Sequence, residues 1–393
     1  MRNYILVGCD LHDKRMLLKV AHNDGTPQTR SFGTDREGRE KMVEHLKGRA
    51  REAGGAEVVF GYEASGAGFG LYDDLKEAGI RCHVLAPTNL PRSPKSERDK
   101  NDEKDAQRVL DEIRAHVLAG KTLSSVWVPD PQTRDDREIV RGRLDAADKV
   151  SAVRIQIQAL LKRQDVRRPP GVTGAWTQRF RAWLAGLSKA PSPLGAGART
   201  ALASLLRQRE FLDQEVDRLE QEVVRLAETE RYREAVLELR TLKGVGILTA
   251  MVFLTEVGDM GRFCNRRQIG AYLGLAPTAY ESGEAQDRKG HITHFGPWRV
   301  RRVLCQAFWC RMRTDAKEKA WFEHWGKDHP KRKKVGVVAG MRRLGVRMWH
   351  RAWEVQQRRR VGSPPPVPPE GGSASLRPRH WIPEDALAGA PAD

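Results

Sequence analysis

Four carboxylate side chains lie at positions where a divalent metal site is expected to form. Asp10 follows the first apolar run of the chain, and Glu63 follows a second, EVVFGY. Asp102 and Asp105 are spaced i, i+3 at the start of a predicted helix, so both lie on one helix face. Packed carboxylates repel one another unless a cation lies among them. Hard oxygen ligands select Mg²⁺ or Mn²⁺, so the sequence predicts a site for one of these ions.

A carboxylate site of this kind is suited to phosphoryl transfer. Two metal ions ~3.5–4 Å apart can activate an attacking oxygen and stabilise a leaving oxygen on phosphorus. A single acid at a helix start is weak evidence, because the helix dipole alone favours it there. The order strand-Asp, strand-Glu and then DxxD at a helix start, in a basic chain, is the layout of a ribonuclease H-like nuclease domain.

The charge balance indicates a polyanionic partner. The 393 residues include 69 Lys and Arg against 51 Asp and Glu, a formal net charge of +18, and nucleic acid is the first candidate. No apolar run reaches the ~18 residues that a membrane span needs, and the N-terminal stretch is not a signal peptide. We therefore expect a cytoplasmic, nucleoid-associated protein.

Patterning divides the chain into four predicted segments. Residues 1–118 alternate short β-rich runs with helices, which favours an α/β domain. Residues 135–230 carry heptads around a Pro- and Gly-rich insertion, and residues 236–355 form a mostly helical region. Residues 362–393 are rich in proline and are predicted to be a disordered tail.

Two heptad series predict a helical hairpin or coiled coil. Apolar residues recur every seven positions in both series: Ile139, Ala146, Val153 and Leu160 in the first, and Leu205, Leu212, Leu219 and Leu226 in the second. Val216 and Val223 occupy the complementary seam. The pattern is compatible with a helix pair inside one chain and with association between subunits, and both interpretations stay open.

Several segments resemble the insertion-sequence transposases of the DEDD type, the IS110 family. The resemblance is carried by VGCDLH, YEASGAG, VLAPTNLPRSPKSERDKNDEKDA, LKGVGILTA and GAYLGLAPTAYESGEAQDRKGHITHFGPWRVRRVL. It covers about residues 4–118 and 238–310. It implies a RuvC-like N-terminal domain, a coiled coil and a C-terminal transposase domain. It also implies that Asp10, Glu63, Asp102 and Asp105 are the catalytic acids, and that a structured guide RNA pairs with donor and target DNA.

The resemblance further implies a serine nucleophile, which we assign to Ser282 in Tyr-Glu-Ser-Gly. A serine hydroxyl needs deprotonation or a nearby metal to attack phosphorus, and the product would be a phosphoserine link to DNA. Without the resemblance, a loop serine that caps a turn is the simpler interpretation. Many relatives have Asn after the glycine that corresponds to Gly296, whereas this chain has Pro297 at that position. The candidate phosphate contacts nearby are Arg288, Lys289, Arg299, Arg301 and Arg302.

A Gly-x-Gly element offers another nucleic-acid contact. Lys243, Gly244 and Gly246 lie between two predicted helices, as in helix-hairpin-helix modules, where backbone N–H groups approach a phosphate. A plain helix–helix turn has the same sequence pattern. Residues 331–360 add 11 Lys and Arg against one acid, and these either contact phosphates or form a solvated helix face.

The sequence therefore predicts an RNA-guided DNA recombinase that uses two Mg²⁺ or Mn²⁺ ions and Ser282. A metal-dependent, structure-selective nuclease without a serine intermediate is the alternative, and a non-catalytic nucleic-acid-binding protein is a third. Ser282 is ~180 residues from the acids. We therefore expect each catalytic site to combine the acids of one chain with Ser282 of another chain, within a dimer or tetramer.

Overall fold

The first half of the fold is a mixed sheet whose central strands end at the predicted acids. The structure is a computed structural model that describes residues 3–87, 101–279, 289–293, 295–326 and 332–360. The strands of the sheet are β1 (Tyr4–Leu11), β2 (Arg15–His22), β3 (Gln28–Gly33), β4 (Glu57–Glu63) and β5 (Arg81–Leu85). Their order is β3-β2-β1-β4-β5. β1 is antiparallel to β2 and parallel to β4, and β4 is parallel to β5.

Helices cover both faces of this sheet. They are α1 (Arg36–Glu52), α2 (Gly70–Glu77) and α3 (Asp102–Ala119). Met42 of α1 and Leu75 of α2 pack with Phe60 on one face, whereas Leu110 and Ile113 of α3 pack on the opposite face. This arrangement agrees with the predicted α/β, ribonuclease H-like domain. The unit extends to Val128 by its internal contacts, ten residues beyond the predicted end.

Strand β3 has no counterpart in the sequence analysis. Its residues, QTRSFG, are mostly polar, and none of them is fully buried. The strand forms because its backbone pairs with β2 at the edge of the sheet, from Arg15–Gly33 to Val20–Gln28. Polar and charged side chains are typical of edge strands, since they discourage further pairing. An edge strand of this composition lacks the apolar alternation that identifies strands in a sequence.

Two glycines allow α3 to lie unusually close to the sheet. A Cβ atom at Gly8 would come within 2.3 Å of both the Ala106 carbonyl oxygen and the Leu110 amide nitrogen. A Cβ atom at Gly61 would come within 2.6 Å of the Ile113 side chain. Each glycine precedes one of the acids, Asp10 or Glu63, by two positions. The helix that carries Asp102 and Asp105 therefore packs on the face of the sheet to which Asp10 and Glu63 belong.

The second unit begins at Pro129 with a long helical hairpin. Its helices are α4 (Pro131–Arg163), the short α5 (Gln178–Leu187) and α6 (Ala196–Glu228). Arg143 pairs with Glu220 and Arg154 with Asp213, so α4 and α6 run antiparallel. The predicted hairpin is thus present within one chain, and the insertion between its two long helices contains α5. Association of subunits through these helices stays a prediction.

The remaining helices pack around a second core that also includes the hairpin. They are α7 (Arg233–Arg240), α8 (Ile247–Val257), α9 (Arg266–Tyr272), α10 (Trp298–Thr314), α11 (Ala316–Gly326) and α12 (Lys333–Arg360), with a small ribbon of β6 (Pro277–Ala279) and β7 (Lys289–Ile292). Val140 of α4 and Val223 of α6 share this core with Phe253 and Trp349. One core thus spans the predicted boundary between 230 and 236. The predicted tail, 362–393, lies outside the described residues.

Arginines of α4 bind the C-terminal end of α8. Arg137 donates to the carbonyl oxygens of Thr255 and Glu256, at 2.6 and 3.0 Å. Arg141 forms a two-pronged ion pair with the buried Glu256 carboxylate, at 2.7 and 2.9 Å. The last carbonyls of a helix have no partner within the helix, and bidentate pairs of this kind fix geometry as well as charge. None of the helices in the described ranges has the length and apolarity that a membrane crossing requires.

We predict that Gly8→Ala destabilises the protein, because the new methyl group would overlap the backbone of α3. Overpacking of this kind costs about 1–3 kcal/mol, measurable as the free energy of unfolding in urea. The displaced helix should also weaken Mn²⁺ binding in a calorimetric titration. Gly48→Ala is the matched control, because its Cβ would meet no atom within 4 Å. In the interior of α1 that change should stabilise by up to about 1 kcal/mol. Equal stabilities of the two variants would contradict the close-packing argument.

Candidate metal centre

The acids Asp10 and Glu63 are brought side by side by the parallel pairing of β1 with β4. The last paired residues of these strands are Cys9 and Tyr62, and each acid is the next residue. Side chains alternate across a strand, and Cys9 and Tyr62 belong to the core on the α1 and α2 face. Asp10 and Glu63 therefore belong to the opposite face, on which α3 packs.

Helix α3 brings the other two acids to the same face. Asn101 caps the helix by accepting a hydrogen bond from the Glu103 amide at 2.9 Å. Asp102 and Asp105 then lie in the first turn, where the positive end of the helix dipole stabilises carboxylates. The capping residue therefore fixes where α3 begins, with both acids in its first turn.

A histidine joins two of these acids. His12 Nε2 lies 2.9 Å from Asp10 Oδ2 and 3.4 Å from Asp102 Oδ1. One ligand atom from each of the three residues lies within 4.8 Å of the other two. These distances place Asp10 and Asp102, residues 92 positions apart, around a volume that one cation can occupy.

Arginines pair with the acids of α3. Arg15, at the start of β2, lies 3.1 Å from Asp102 Oδ2. Arg108, one turn further along α3, lies 2.7 Å from Asp105 Oδ1. The two acids on the helix therefore each have a guanidinium on one side. Glu63 is half-buried, and its position beside Asp10 follows from the strand register.

The electrostatics of Asp10 reflect this crowding. Burial raises the pKa of its carboxyl group, and the negative charges of Asp102 and Asp105 raise it further. The charge and hydrogen bond of His12 lower the same pKa. A carboxylate whose pKa is raised in this way is stabilised by an added positive charge, so the charge on this face favours a bound cation.

The donor set fits a divalent metal ion. Carboxylate oxygens suit Mg²⁺ and Mn²⁺, and an imidazole nitrogen is tolerated better by transition metals than by Mg²⁺. Asp10, Asp102 and His12 would hold such an ion. Among the described residues, this close group does not include Glu63 or Asp105. Next to these residues, an open cleft is lined by the loops that follow β1 and β4, from Leu11 to Lys14 and from Ser65 to Ala67.

His12 and Arg15 were missed by the sequence analysis. His12 lies in the turn between β1 and β2, and Arg15 is the first residue of β2. The pairing of Leu11 with Met16 makes this turn tight. Residues i and i+2 of an extended segment lie on one side of the chain, so the spacing of Asp10 and His12 was a usable signal. No local signal pairs Arg15 with Asp102, because that contact depends on how α3 docks.

The structure describes only some of the candidate nucleophile and phosphate-binding residues of the C-terminal region. Ser282 and Arg288 lie outside the described residues, and Lys289 begins β7. Arg299 contacts Asp145 at 3.0 Å, and Arg302 contacts Asp148 at 2.6 Å, so both guanidiniums bind acids of α4. Arg301 donates to the backbone carbonyls of Leu273 and Phe295, at 3.1 and 2.9 Å.

The Gly-x-Gly element forms the turn between α7 and α8. Gly244 has φ +88°, and a Cβ there would lie 2.4 Å from the Ala307 carbonyl oxygen of α10. Packing and backbone conformation therefore both require glycine at this position. Gly246 is the N-terminal cap residue of α8, and a Cβ there would meet open space. Lys243 is exposed, so its ammonium group is accessible to a phosphate.

Comparison with known proteins identifies the family. A model described as "Transposase", of the DEDD type of IS110, matches residues 7–164, and a model described as "Transposase IS116/IS110/IS902 family" matches residues 237–323. Among curated proteins, "Putative transposase y4qE" of Sinorhizobium fredii is 33% identical over 258 residues, which are 64% of this chain and 58% of that protein. "Putative transposase y4rJ" of the same organism is 29% identical over 336 residues, 77% of this chain and 79% of that protein.

A third relative is named after the insertion sequence that encodes it. The "Transposase for insertion sequence element IS1533" of Leptospira borgpetersenii is 27% identical over 249 residues, 63% of this chain and 69% of that protein. The match to y4qE, in contrast, spans 58% of that relative's length, which is less than two thirds. The first family model includes Asp10, Glu63, Asp102 and Asp105, and the second includes the segment that contains Ser282. The chain belongs to the IS110 family of transposases.

Proposed function

We propose that the protein cuts and rejoins donor and target DNA of an insertion sequence. The observation that carries this proposal is the convergence of Asp10, His12 and Asp102 at the ends of neighbouring elements, in a chain of a transposase family. Asp10, Glu63, Asp102 and Asp105 would hold two Mg²⁺ or Mn²⁺ ions, which supply activation of an oxygen nucleophile and stabilisation of the leaving oxygen on phosphorus.

Ser282 is proposed as the nucleophile. Its Oγ attacks a backbone phosphorus and loses its proton to a neighbouring base, while the bond from phosphorus to one deoxyribose oxygen breaks. The leaving oxygen takes up a proton and becomes a free hydroxyl end. The phosphoserine diester conserves the energy of the broken bond, so attack by a second hydroxyl end rejoins the strands and releases serine.

The serine proposal predicts a covalent protein–DNA adduct that is lost in Ser282→Ala. The adduct would be trapped by rapid denaturation and detected as a labelled band after nuclease digestion. Tyr280→Phe is the matched control, because it removes the neighbouring hydroxyl in the same segment and should leave the adduct intact. Asp10→Ala should abolish both the adduct and cutting, because its carboxylate is expected to be a metal ligand. Normal cutting by Ser282→Ala, with free DNA ends, would rule out the serine role.

That last result would favour the second candidate function, a structure-selective nuclease that uses the same acids with water as the nucleophile. The geometry of the acids is compatible with either nucleophile, because metal ions held by carboxylates can activate a serine hydroxyl or a water molecule. A non-catalytic binding role is a third candidate. It would require that alanine at Asp10 or Asp102 leave every activity unchanged.

A structured guide RNA is proposed as a partner because of the family resemblance, and the net charge of +18 is compatible with it. We predict that protein expressed with its native flanking DNA retains one discrete RNA after a high-salt wash. Salt matters because purely electrostatic binding weakens steeply as its concentration rises. Sequencing identifies the RNA, and expression without the flanks is the control. A mixture of cellular RNAs, or none, would argue for recombination without a guide.

We also propose that complete catalytic sites combine residues of two chains. The acids lie in the first unit, Ser282 lies within the second, and the hairpin offers a surface for a homo-oligomer, either a dimer or a tetramer. Mixing Asp10→Ala and Ser282→Ala proteins should restore strand exchange that neither variant performs alone. Recombination would be measured as joined product on a gel. Absence of rescue, with both variants shown to assemble, would place each site within one chain.

A further inference from the structure

Positive charge is concentrated at one end of the helical hairpin. Residues 162–209, which we call the hairpin tip, contain 10 Lys and Arg against one acid, Asp165. Residues 131–161 and 210–228, the hairpin stem, contain 8 Lys and Arg against 12 acids. A net charge of +9 thus adjoins a stem of net charge −4. Segregation of this kind creates a local potential that attracts polyanions.

The hairpin tip is a folded body with its own core. Phe180 and Leu184 of α5 are buried against Ile157 of α4 and Leu202 of α6. Thr177 caps α5 by accepting a hydrogen bond from the Phe180 amide at 3.2 Å. Because these contacts hold α5 across the ends of the two long helices, the cations of the tip surround one small, fixed scaffold.

Some of the tip's cations are used to build that scaffold. The guanidinium carbons of Arg154, from the adjoining stem, and Arg209 lie 5.3 and 5.4 Å from the centre of the Trp176 ring. Arg168 lies 5.6 Å from the centre of the Phe180 ring. Trp176 has φ +67°, which is uncommon for a bulky residue, and the two arginines help to hold its ring in place. These arginines have a structural role.

Other cations of the tip have no such role. They are exposed, and within the described part of the chain none of them forms an ion pair: Lys162, Arg163, Arg179, Arg181, Lys189 and Arg207. Arg179 and Arg181 flank the buried Phe180 on α5, so the helix directs its apolar side inward and carries charge on both flanks. Like charges in proximity repel and contribute no stability, which indicates that this surface is matched to an anionic partner.

We propose that the hairpin tip binds the phosphate backbone of duplex DNA, through residues other than those assigned to catalysis. Single strands are bound through aromatic platforms on which bases stack, but Trp176 lies between two arginines and Phe180 is buried. Exposed Lys and Arg around a rigid body instead suit regularly spaced phosphates, read without sequence preference. The choice of DNA as the duplex rests on the proposed function.

The test compares two triple variants of the full-length protein. The tip variant carries Lys162→Gln, Arg179→Gln and Arg181→Gln. The control carries Lys47→Gln, Lys149→Gln and Arg233→Gln, which removes the same charge from exposed positions that also lack ion pairs among the described residues. Binding of a short fluorescein-labelled DNA duplex is followed by anisotropy in buffer with EDTA, over a salt titration. Circular dichroism melts verify that both variants fold.

The tip variant should bind about 10-fold to 100-fold more weakly at physiological salt. Its slope of log affinity against log salt should fall by about 2–3 units, at ~0.9 per phosphate contact. Equal binding by both triple variants would overturn the proposal. A larger loss for an RNA duplex of the same sequence than for DNA would overturn the assignment to DNA. The binding assay contains EDTA and therefore does not depend on strand cutting. Equal binding by the two triple variants would overturn the proposal for the hairpin tip and leave the proposed strand cutting unaffected. Loss of cutting by Asp10→Ala would in turn leave the binding measurement unaffected.

Discussion

The candidate site depends on how closely α3 approaches the sheet. A Cβ atom at Gly8 would overlap the backbone of α3, and a Cβ atom at Gly61 would overlap the Ile113 side chain, so both glycines make room for the helix. The acids of β1 and β4 follow these glycines by two residues, and the contact that positions the helix also brings Asp102 of α3 close to Asp10 of β1. Each acid alone would be an ordinary strand-end or helix-start residue. The pKa of the Asp10 carboxyl group is raised chiefly by burial, and the negative charges of Asp102 and Asp105 raise it further.

Much of the first unit was predictable, because local rules determine it. The two apolar runs before Asp10 and Glu63 became β1 and β4 and are buried in the sheet, and the carboxyl ends of these strands met as expected. Strand β3 was missed because its polar residues carry no periodic signal. The contact of Arg15 with Asp102 was missed for another reason. It joins residues 87 positions apart, and only the docking of α3 defines it.

In the second unit, the sequence pattern predicted the helices but not the contacts between them and the rest of the unit. The heptads predicted a helical hairpin or coiled coil, and α4 and α6 form an antiparallel pair within one chain, with Ala146, Val153 and Leu160 buried. A heptad seam does not reveal that Val140 and Leu144 of α4 face a different core, shared with α8 and α12. It likewise does not reveal that Arg299 and Arg302, predicted to contact phosphates, meet acids of α4. A role in binding DNA would require these ion pairs to be exchanged for phosphate contacts.

The arginine contacts between α4 and α8 have a mechanical consequence. Arg137 and Arg141 anchor α4 to α8, and Arg302 of α10 holds Asp148. The part of α4 beyond Asp148 runs to Arg163, which is about 22 Å at 1.5 Å per residue. A rotation of about 10° of this part would move its far end by roughly 4 Å over that length. Small adjustments near α8 and α10 would thus reach the hairpin tip as displacements of several ångströms.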